Sequence, residues 1–418
     1  MDQATEYQKK LAEDLRGLAT NSPARMQNAK PEVPLNPQEP TEKNRWQNKM
    51  AERGWFKSQG AYVLVDGQFG STGKGLAEQV LADLFGHRVN FITTNAGPNS
   101  GHTIYHPSTG EKIVLKQIPS FMAQAAIMKL NIPCLLNSGA IVDPTILKSE
   151  LDLVHGLLGC QPDVMIHQHA AAILPKHYQE QSSLSAIAST QKGTGPALSD
   201  KILRKRFGVA ETVHDFEDLQ VLRNAAVSRS GVTFVSTAQG FSLGINTGFY
   251  PYTTCRECTV QQALSDARIP ARALRKVIAT YRTLPIRVGD TAQGSSGGWY
   301  PDQKELSWEE LNLEPETTTV TGRQRRIATW SWQQFTEGLV VNDPDALFIN
   351  FLNYLSQEEA RGLVAKAAKR FGETLGRQPD FVMLGFGPRL YDVKIAFDFQ
   401  DAERYVQEFF GSRSVKAA

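Results

Sequence analysis

The stretch "DGQFGSTGKG", residues 66–75, decides the fold, because it joins an apolar run, "AYVLV", to a segment with helical spacing. A glycine-rich turn between a strand and a helix, with a lysine near the helix start, is typical of phosphate-binding loops. The usual P-loop pattern nevertheless fails at both ends. Gln68 stands at the expected first glycine, and Gly75 follows Lys74 in place of Ser or Thr.

The composition is that of an ordinary globular enzyme. The chain has 418 residues, 41% hydrophobic and 21% charged, with a formal net charge of +2. This balance gives no general attraction to nucleic acid or to membranes, and no apolar run approaches the ~18 residues of a membrane-spanning helix. The polar N-terminus lacks the apolar segment of a secretory signal. We therefore expect a cytoplasmic protein that binds neither nucleic acid nor membrane.

The first 57 residues differ in amino-acid composition and hydrophobic pattern from the rest of the chain. "EYQKKLAEDLRGLA" could form a short amphipathic helix, and a segment rich in Pro, Asn and charge follows it. This segment has too few apolar residues to build a hydrophobic core. We expect residues 1–57 to be an N-terminal extension, flexible or wrapped on a surface, and residues 58–418 to form the catalytic domain.

From residue 61 onward, short apolar runs alternate with helical patterns, and several runs end in glycine-containing turns. This alternation predicts an α/β fold with a central, mostly parallel β-sheet flanked by helices, with ligands at the carboxyl ends of the strands. The runs are "AYVLV", "VNFITT", "PCLLNSGAIV", "VTFVSTAQG", "DALFINFL" and "PDFVMLGFG".

Five loops carry groups suited to anionic oxygen. In the opening loop, backbone N–H groups near a helix start form an anion-binding nest, and Lys74 adds a point charge. The second loop places His102 after a strand, where active-site residues concentrate. The remaining three offer hydroxyls, an amide and guanidinium groups, and we expect the basic residues of the third to continue on a helix. The later loops are "TTNAGPNSGHT" (93–103), "IASTQKGTGPALSDKILRKR" (187–206), "TAQGFSLGINTGFYPYTT" (237–254) and "VTGRQRR" (320–326).

Taken in order, these stretches resemble adenylosuccinate synthetase. That family begins with strand–GxxGxxGKG–helix and continues with N-A-G-H-T, G-T-T-x-x-G-x-G-P-A, G-A-Q-G…Y-P-Y-x-T and T-T-G-R-x-R-R motifs. This chain has "GQFGSTGKG", "NSGHT", "IASTQKGTGPA", "STAQG…YPYTT" and "VTGRQRR", from about residue 61 to the last strand near residue 388. The resemblance implies an adenylosuccinate-synthetase-like, P-loop-related fold and a two-step ligation. The purine O6 takes the γ-phosphoryl group of a nucleoside triphosphate, and the aspartate amine then displaces phosphate at C6.

The resemblance also implies a role for each matching residue. Catalysis would rest on Ser71, His102 and Lys74, and Mg²⁺ would be held at Ser71 and the Gly101 carbonyl. The triphosphate would contact Gly70, Ser71, Thr72, Gly73, Lys74, Gly75, Gly101, His102, Thr103, Asn353, Gly385, Gly387 and Pro388. The purine monophosphate would contact Ser71, Asn99, Ser189, Thr190, Gln239, Thr254, Arg323 and, from the neighbouring subunit of a homodimer, Arg204. Aspartate would bind Thr321, Arg323 and Arg325.

The first departure from the family lies inside the opening loop. The family carries Asp-Glu where this chain has Ser71-Thr72, and that aspartate is thought to take the purine N1 proton and to bind Mg²⁺. One interpretation is a non-catalytic paralogue that still binds nucleotides, against which stands the presence of the other site residues. The other is a changed substrate, because a serine leaves room for the 2-amino group of guanine and can accept its hydrogen bond. The N1 proton would then pass to a water, to the substrate's own phosphate, or to Ser71 relayed through a neighbour.

The second departure concerns the base of the triphosphate. The family has T-K-L-D at a strand end, whose aspartate recognises guanine, and this chain has Phe351 and Asn353 in place of the lysine and the aspartate. An amide can donate to adenine N1 and accept from the 6-amino group, so Asn353 favours ATP or dATP as donor. Alternatively, Asn353 only caps the strand end.

Both changes together are those of a phage paralogue of the family. That paralogue joins aspartate to dGMP, giving 2-amino-2′-deoxyadenylosuccinate for 2,6-diaminopurine DNA. We take this dGMP:aspartate ligase as the leading hypothesis. The alternatives are an ordinary adenylosuccinate synthetase using IMP and GTP, a non-catalytic nucleotide-binding protein and, last, a generic P-loop ATPase.

Overall fold

The computed structural model describes residues 41–182, 187–212, 221–222, 231–292, 294–318 and 322–414. Within these ranges, ten strands form a central sheet, and seven others form sheets of three, two and two strands. In chain order the strands are β1 (Gly60–Asp66), β2 (Val89–Thr94), β3 (His102–Tyr105), β4 (Lys112–Leu115), β5 (Cys134–Leu136), β6 (Ile141–Val142), β7 (Val164–His167), β8 (Ala171–Ala172), β9 (Val221–Leu222), β10 (Val232–Ser236), β11 (Leu274–Arg282), β12 (Ile286–Arg287), β13 (Glu305–Leu306), β14 (Arg326–Ala328), β15 (Ala346–Asn350), β16 (Val382–Gly385) and β17 (Val393–Ala396).

The helices follow or separate these strands, as an α/β fold requires. They are α1 (Glu42–Glu52), α2 (Lys74–Phe85), α3 (Ser120–Ile127), α4 (Pro144–Leu158), α5 (Pro175–Ser182), α6 (Thr194–Ile202), α7 (Val260–Asp266), α8 (Trp332–Asn342), α9 (Gln357–Leu375) and α10 (Phe399–Ser414). Among the residues that the structure describes, no helix has the length and apolar character needed to span a membrane.

The central sheet has the strand order β17-β16-β15-β11-β1-β10-β2-β5-β7-β9. Every neighbouring pair is parallel except β16 and β17, which are antiparallel. The predicted α/β fold with a mostly parallel sheet is thus confirmed. Because β1 lies between β10 and β11, its carboxyl end opens into the middle of the sheet, where ligands bind in such folds.

Strand β1 is buried on both faces, which explains its continuous apolar sequence. Tyr62 and Leu64 join the hydrophobic cluster that includes residues of α2, α3 and α4. Val63 and Val65 point to the other face and join the cluster that includes residues of α7, α8 and α9.

The boundary expected at residue 57 is too late. The compact unit runs from Arg45 to Ala418, and Trp55 and Phe56 are fully buried in its core. Phe56 stacks on Tyr62 with ring centroids 4.6 Å apart, and the Trp55 indole N–H donates to Asp380 Oδ2 at 2.8 Å. Residues 45–57 therefore belong to the domain because their aromatic side chains fill its core. The amphipathic helix expected near the N-terminus lies outside the described residues.

Candidate active site

The opening loop is organised around one buried carboxylate, Asp66, at the end of β1. Its Oδ1 accepts hydrogen bonds from the backbone N–H groups of Gln68 and Gly70, at 2.9 and 3.2 Å. Its Oδ2 accepts from the Thr72 hydroxyl at 2.6 Å and from Lys74 Nζ at 3.0 Å. Asp66 is 1% exposed, so the carboxylate fixes the loop from within. The sequence showed this residue in the motif but gave no reason to single it out.

Lys74 is held in one orientation at the first turn of α2. Besides Asp66, its ammonium group donates to the backbone oxygen of Gln239 at 2.7 Å. An ammonium group has three donors, so two fixed partners leave one for a ligand. Gln239 itself has φ of 66°, an uncommon conformation for a non-glycine residue and one that clusters at functional sites.

Gly73, just before α2, and Gly385, at the end of β16, make room for the side chain of Asn350. A Cβ at Gly73 would lie 2.1 Å from Asn350 Nδ2, and one at Gly385 would lie 2.0 Å from its Oδ1. Gly73 also has φ of 94° where α2 begins, a conformation that only glycine adopts easily. The loop glycines thus serve packing as well as backbone geometry.

His102 begins β3 and packs against the start of α2. A Cβ at Gly75 would lie 3.0 Å from the His102 Cβ, so glycine allows this close approach. Burial, together with the charge of Lys74, lowers the pKa of His102 to about 3. The imidazole is therefore neutral at physiological pH and can donate one hydrogen bond.

The loops enclose a cavity of about 500 Å³, here called the main cavity. Most residues expected at the triphosphate line it: Gly70, Ser71, Gly73, Lys74, Gly75, Gly101, His102, Thr103, Asn353, Gly387 and Pro388. Arg325, expected at aspartate, lines it as well. Asn353 lies on a 3₁₀ turn, Leu352–Tyr354, because β15 ends at Asn350, earlier than the sequence indicated.

A second cavity of about 370 Å³ lies next to the first. The two share lining residues, among them Phe69, Asn99, Thr190 and Gln239, so they adjoin. The residues expected at the purine monophosphate that line it are Asn99, Ser189, Thr190, Gln239 and Thr254. The structure thus brings residues of all five loops to the two cavities, with Arg325 as the contribution of the fifth loop.

Of the expected ligand residues that the structure describes, four line neither cavity. The Thr72 hydroxyl is buried against Asp66 and Thr280, which leaves only its backbone for a ligand. Gly385 lies behind Asn350. The Arg323 guanidinium donates to backbone oxygens of Ala188 and Ser189. Arg204 is exposed outside both cavities, and Thr321 lies outside the described residues.

The basic residues of the third loop do not all continue on a helix. Helix α6 ends at Ile202, and Arg204 has φ of 58° in the turn that follows. Asp200 explains the early end, because its backbone oxygen accepts from the Lys205 N–H and its Oδ1 pairs with Lys205 Nζ at 2.5 Å. The turn therefore folds back onto α6 and directs Arg204 to the surface.

Sequence reasoning also missed two charged groups in the cavity walls. Glu316 lines the main cavity and pairs with the fully buried Arg282, with Oε1 and Nη2 2.6 Å apart. Arg287 lines the second cavity with its guanidinium 4.5 Å from the Phe69 ring centroid. Burial lowers the pKa of Arg287 to about 10. The sequence contains all three charged residues: Glu316 just before "TTTVTGRQRR", and Arg282 and Arg287 at the ends of β11 and β12. Only the fold brings them to the site.

Comparison with known proteins decides the family. The adenylosuccinate synthetase family model matches residues 63–227 and 209–365, which is more than half of the chain. The chain belongs to the adenylosuccinate synthetase family. The first four loops described above lie within the matched ranges, and so does the fifth, which carries Arg325.

Within this family, phage enzymes are among the most similar relatives. The N6-succino-2-amino-2′-deoxyadenylate synthase of Salmonella phage PMBT28 is 35% identical over 370 residues, 80% of this chain and 97% of that protein. The enzyme of the same name from Vibrio phage phiVC8 is 34% identical over 358 residues, 80% of this chain and 98% of that protein.

The fold is also similar to that of a solved phage enzyme. The succinoaminodeoxyadenylate synthetase of cyanophage S-2L, bound to dGMP and to dATP as an energy donor, matches with a TM-score of 0.72 at 27% identity. The match covers 84% of this chain and all of that chain.

Proposed function

We propose that this chain is a carbon–nitrogen ligase that joins L-aspartate to C6 of dGMP. In the first step, O6 of the purine attacks the γ-phosphorus of ATP or dATP, and the nucleoside diphosphate leaves. In the second, the amine of aspartate attacks C6 and inorganic phosphate leaves. The product is 2-amino-2′-deoxyadenylosuccinate, the compound that the related phage enzymes are named for.

The observation that carries the proposal is Ser71 at the wall of the main cavity. The family's aspartate at this position would crowd the 2-amino group of guanine, and the serine hydroxyl is smaller and can accept its hydrogen bond. An enzyme for IMP has no need of this change, because hypoxanthine carries only hydrogen at C2.

Unpartnered polar atoms support the purine subsite. Gln239 Nε2 and Asn99 Oδ1 are buried and have no hydrogen-bond partner among the described residues, and both side chains line the junction of the two cavities. A buried donor or acceptor without a partner costs about 1–3 kcal/mol, which a purine with matching groups would recover. The phosphate would lie among the hydroxyls of Ser189, Thr190 and Thr254 in the second cavity.

We place the donor nucleotide in the part of the main cavity that Asn353 lines. Asn353 lies there between Phe351 and Tyr354, which offer aromatic rings for a base. An amide can donate to adenine N1 and accept from its 6-amino group, whereas the N1–H and 2-amino donors of guanine suit the two acceptor oxygens of a carboxylate. We therefore propose ATP or dATP rather than GTP.

The phosphoryl transfer relies on positioning and electrostatic stabilisation. Lys74 and the loop N–H groups would hold the phosphates, and the neutral His102 would donate to the transferring group. Mg²⁺ suits this site because it prefers oxygen ligands, including water and phosphate oxygens. Ser71 Oγ and the Gly101 carbonyl would hold it, and its charge would neutralise that of the phosphates. The Arg325 guanidinium, which donates to Ser71 Oγ, has no acceptor through which to relay the N1 proton, so we propose that this proton passes to a water or to the substrate's own phosphate.

We further propose a homodimer in which Arg204 completes the partner's monophosphate subsite. Arg204 is exposed, and three apolar side chains on the same turn region are exposed with it: Ile202 (66%), Leu203 (64%) and Phe207 (46%). Such a cluster of exposed apolar residues marks an interaction surface.

A matrix of substrates tests the function. The purified protein is mixed with Mg²⁺, aspartate and each pairing of dGMP, GMP or IMP with ATP, dATP or GTP, and the product is followed by mass. We expect product from dGMP with ATP or dATP. Lys74→Met should abolish it, and Lys366→Met, at an exposed lysine on α9, should not. Turnover with IMP and GTP but none with dGMP would overturn the proposal, and so would tight nucleotide binding without product from any pairing.

A further inference from the structure

An ion pair beneath the main cavity joins three loops. Arg282, fully buried at the end of β11, contacts Glu316 through both terminal nitrogens, at 2.6 and 3.3 Å. Its Nη1 also donates to the backbone oxygen of Ser71 at 3.3 Å. The guanidinium carbon lies 3.9 Å from the ring centroid of Phe351, in the segment next to Asn353. One side chain therefore touches the phosphate loop, the base of the loop that carries Arg325, and the donor-base segment.

Glu316 also contacts Tyr354 and Arg325, which both line the main cavity. Its Oε1 accepts from the Tyr354 hydroxyl at 3.0 Å, and its backbone oxygen accepts from the Arg325 N–H at 2.8 Å. The Arg325 Nε lies 3.9 Å from Glu316 Oε2. Burial alone would raise the pKa of Glu316, but the charge of Arg282 holds that pKa below its ordinary value. The carboxylate therefore remains charged and keeps its partners.

The backbone on the nucleotide side is itself constrained. Phe351 has φ of 64°, an uncommon conformation for an aromatic residue, so the surrounding contacts must hold it there. Those contacts include the Arg282 stack and the Thr283 hydroxyl, which donates to the Phe351 oxygen at 2.8 Å. The 3₁₀ turn that bears Asn353 and Tyr354 follows directly.

We propose that Arg282 and Glu316 act as positioning residues that couple the nucleotide subsite at Phe351–Tyr354 to the aspartate subsite at Arg325. Occupation of either subsite then raises the affinity of the other. This inference rests on the proposed function, because it takes those two subsites from it.

The coupling follows from shared contacts. An adenine base beside Asn353 restricts the Tyr354 ring, and its hydroxyl then fixes the Glu316 carboxylate. Because Glu316 also holds Arg325, the guanidinium is ordered before aspartate arrives, and aspartate binding costs less conformational entropy. By linkage, aspartate raises nucleotide affinity by the same factor.

Calorimetry on the full-length protein tests the coupling without turnover. The dissociation constant of adenylyl imidodiphosphate, a non-hydrolysable ATP analogue, is measured with Mg²⁺ in the presence and absence of saturating aspartate, and dGMP is omitted. We expect aspartate to tighten analogue binding about 10-fold in the wild type, within the usual range of coupling between sites. The reverse titration should give the same factor.

Tyr354→Phe is the decisive variant, because it removes only the hydroxyl that reaches Glu316. We expect the coupling factor, the ratio of the analogue's dissociation constants without and with aspartate, to fall below about 3-fold, whatever the affinity of the variant for the analogue alone. Glu316→Gln should behave alike. Tyr405→Phe is the matched control, since that buried hydroxyl accepts from the Trp46 indole N–H at 3.4 Å and does not line the cavities. It should keep the wild-type factor.

The outcomes separate this inference from the proposed function. A wild type that makes product from dGMP but shows a coupling factor near 1 overturns the coupling alone. Full coupling in Tyr354→Phe and Glu316→Gln overturns it as well. A wild type that makes no product with any nucleotide pairing overturns the proposed function, and the inference falls with it.

Discussion

The guanidinium of Arg325 donates to the hydroxyl of Ser71, so the tip of the phosphate loop touches the loop expected to bind aspartate. Ser71 Oγ is the acceptor in this bond, which leaves its second lone pair and the hydroxyl hydrogen for ligand atoms. Ser71 has φ of 55°, an uncommon conformation that directs its side chain away from the buried Asp66 network. A carboxylate at position 71 would instead form an ion pair with Arg325 and place a negative charge beside the purine.

Ser71→Asp should therefore shift the purine preference. We expect kcat/KM for dGMP to fall about 100-fold, because the carboxylate crowds the 2-amino group, and the ratio of IMP to dGMP turnover to rise. Ser71→Ala keeps the space but removes the hydroxyl that accepts from Arg325 and would meet the 2-amino group and Mg²⁺, so it should lower kcat/KM for dGMP by at least roughly 10-fold. Initial rates with dGMP and IMP measure both effects. An unchanged dGMP preference in Ser71→Asp would show that another residue selects the purine.

Asn353→Asp should move the donor preference from ATP toward GTP. A carboxylate accepts from the N1–H and 2-amino groups of guanine but cannot donate to adenine N1. We expect the ratio of kcat/KM for ATP to that for GTP to fall roughly 10- to 100-fold. Asn312→Asp, at an exposed asparagine outside both cavities, is the control and should leave the ratio unchanged. If ATP stays equally favoured in Asn353→Asp, the amide does not read the base.

Much of the fold follows from local patterns. The apolar runs that end in glycine turns predicted β1, β2, β10, β15 and β16 and their parallel arrangement. Strand β11, the direct neighbour of β1, escaped prediction because charged side chains interrupt its sequence. These charged side chains lie near the two ends of the strand. Lys276, near the amino end, pairs with Asp380 at 2.7 Å, and Arg282 is the last residue at the carboxyl end.

The candidate site was predictable where ligands dictate the residue type. Glycines, Lys74 and His102 follow from phosphate chemistry and the family motifs. Asp66 and Glu316 were not predictable, because their partners are 8 residues away across a turn and 34 residues away along the chain. The place of residues 45–57 in the core was equally hidden, since it depends on Trp55 and Phe56 meeting side chains of distant elements.

Mixing two inactive variants tests whether Arg204 acts across a dimer. Arg204→Leu lacks the residue given to the partner, and Lys74→Met lacks the phosphate lysine of its own site. In a mixed dimer, one site contains both intact residues, so activity should return to about a quarter of the wild-type level at equal amounts. Arg272→Leu, on the 3₁₀ turn before β11 and outside both cavities, is the control and should be active alone. Fully active, monomeric protein in sedimentation would contradict the proposal.

A buried glutamate beneath the phosphate loop should make stability depend on pH. Burial raises the pKa of Glu78, on α2, from 4.5 to about 7, against hydrogen bonds from the Ser236 hydroxyl and the Phe121 N–H. Between these pH values the folded protein holds a proton that the unfolded chain has lost. Stability from this group is therefore fully present below about pH 4.5 and is lost as the pH rises through 7, by about 3 kcal/mol.

Glu78→Gln removes this titration and keeps a similar shape, with the amide oxygen able to accept from Phe121 and the N–H₂ able to donate to Ser236. We expect the free energy of unfolding of the variant, relative to the wild type, to rise by about 2–3 kcal/mol between about pH 5 and pH 8. Urea unfolding at both pH values measures it. Glu373→Gln, at an exposed glutamate on α9, is the control and should show no such change. A parallel pH dependence in Glu78→Gln and the wild type would mean that Glu78 is ionised in the folded protein, with Lys74 or solvent compensating its charge.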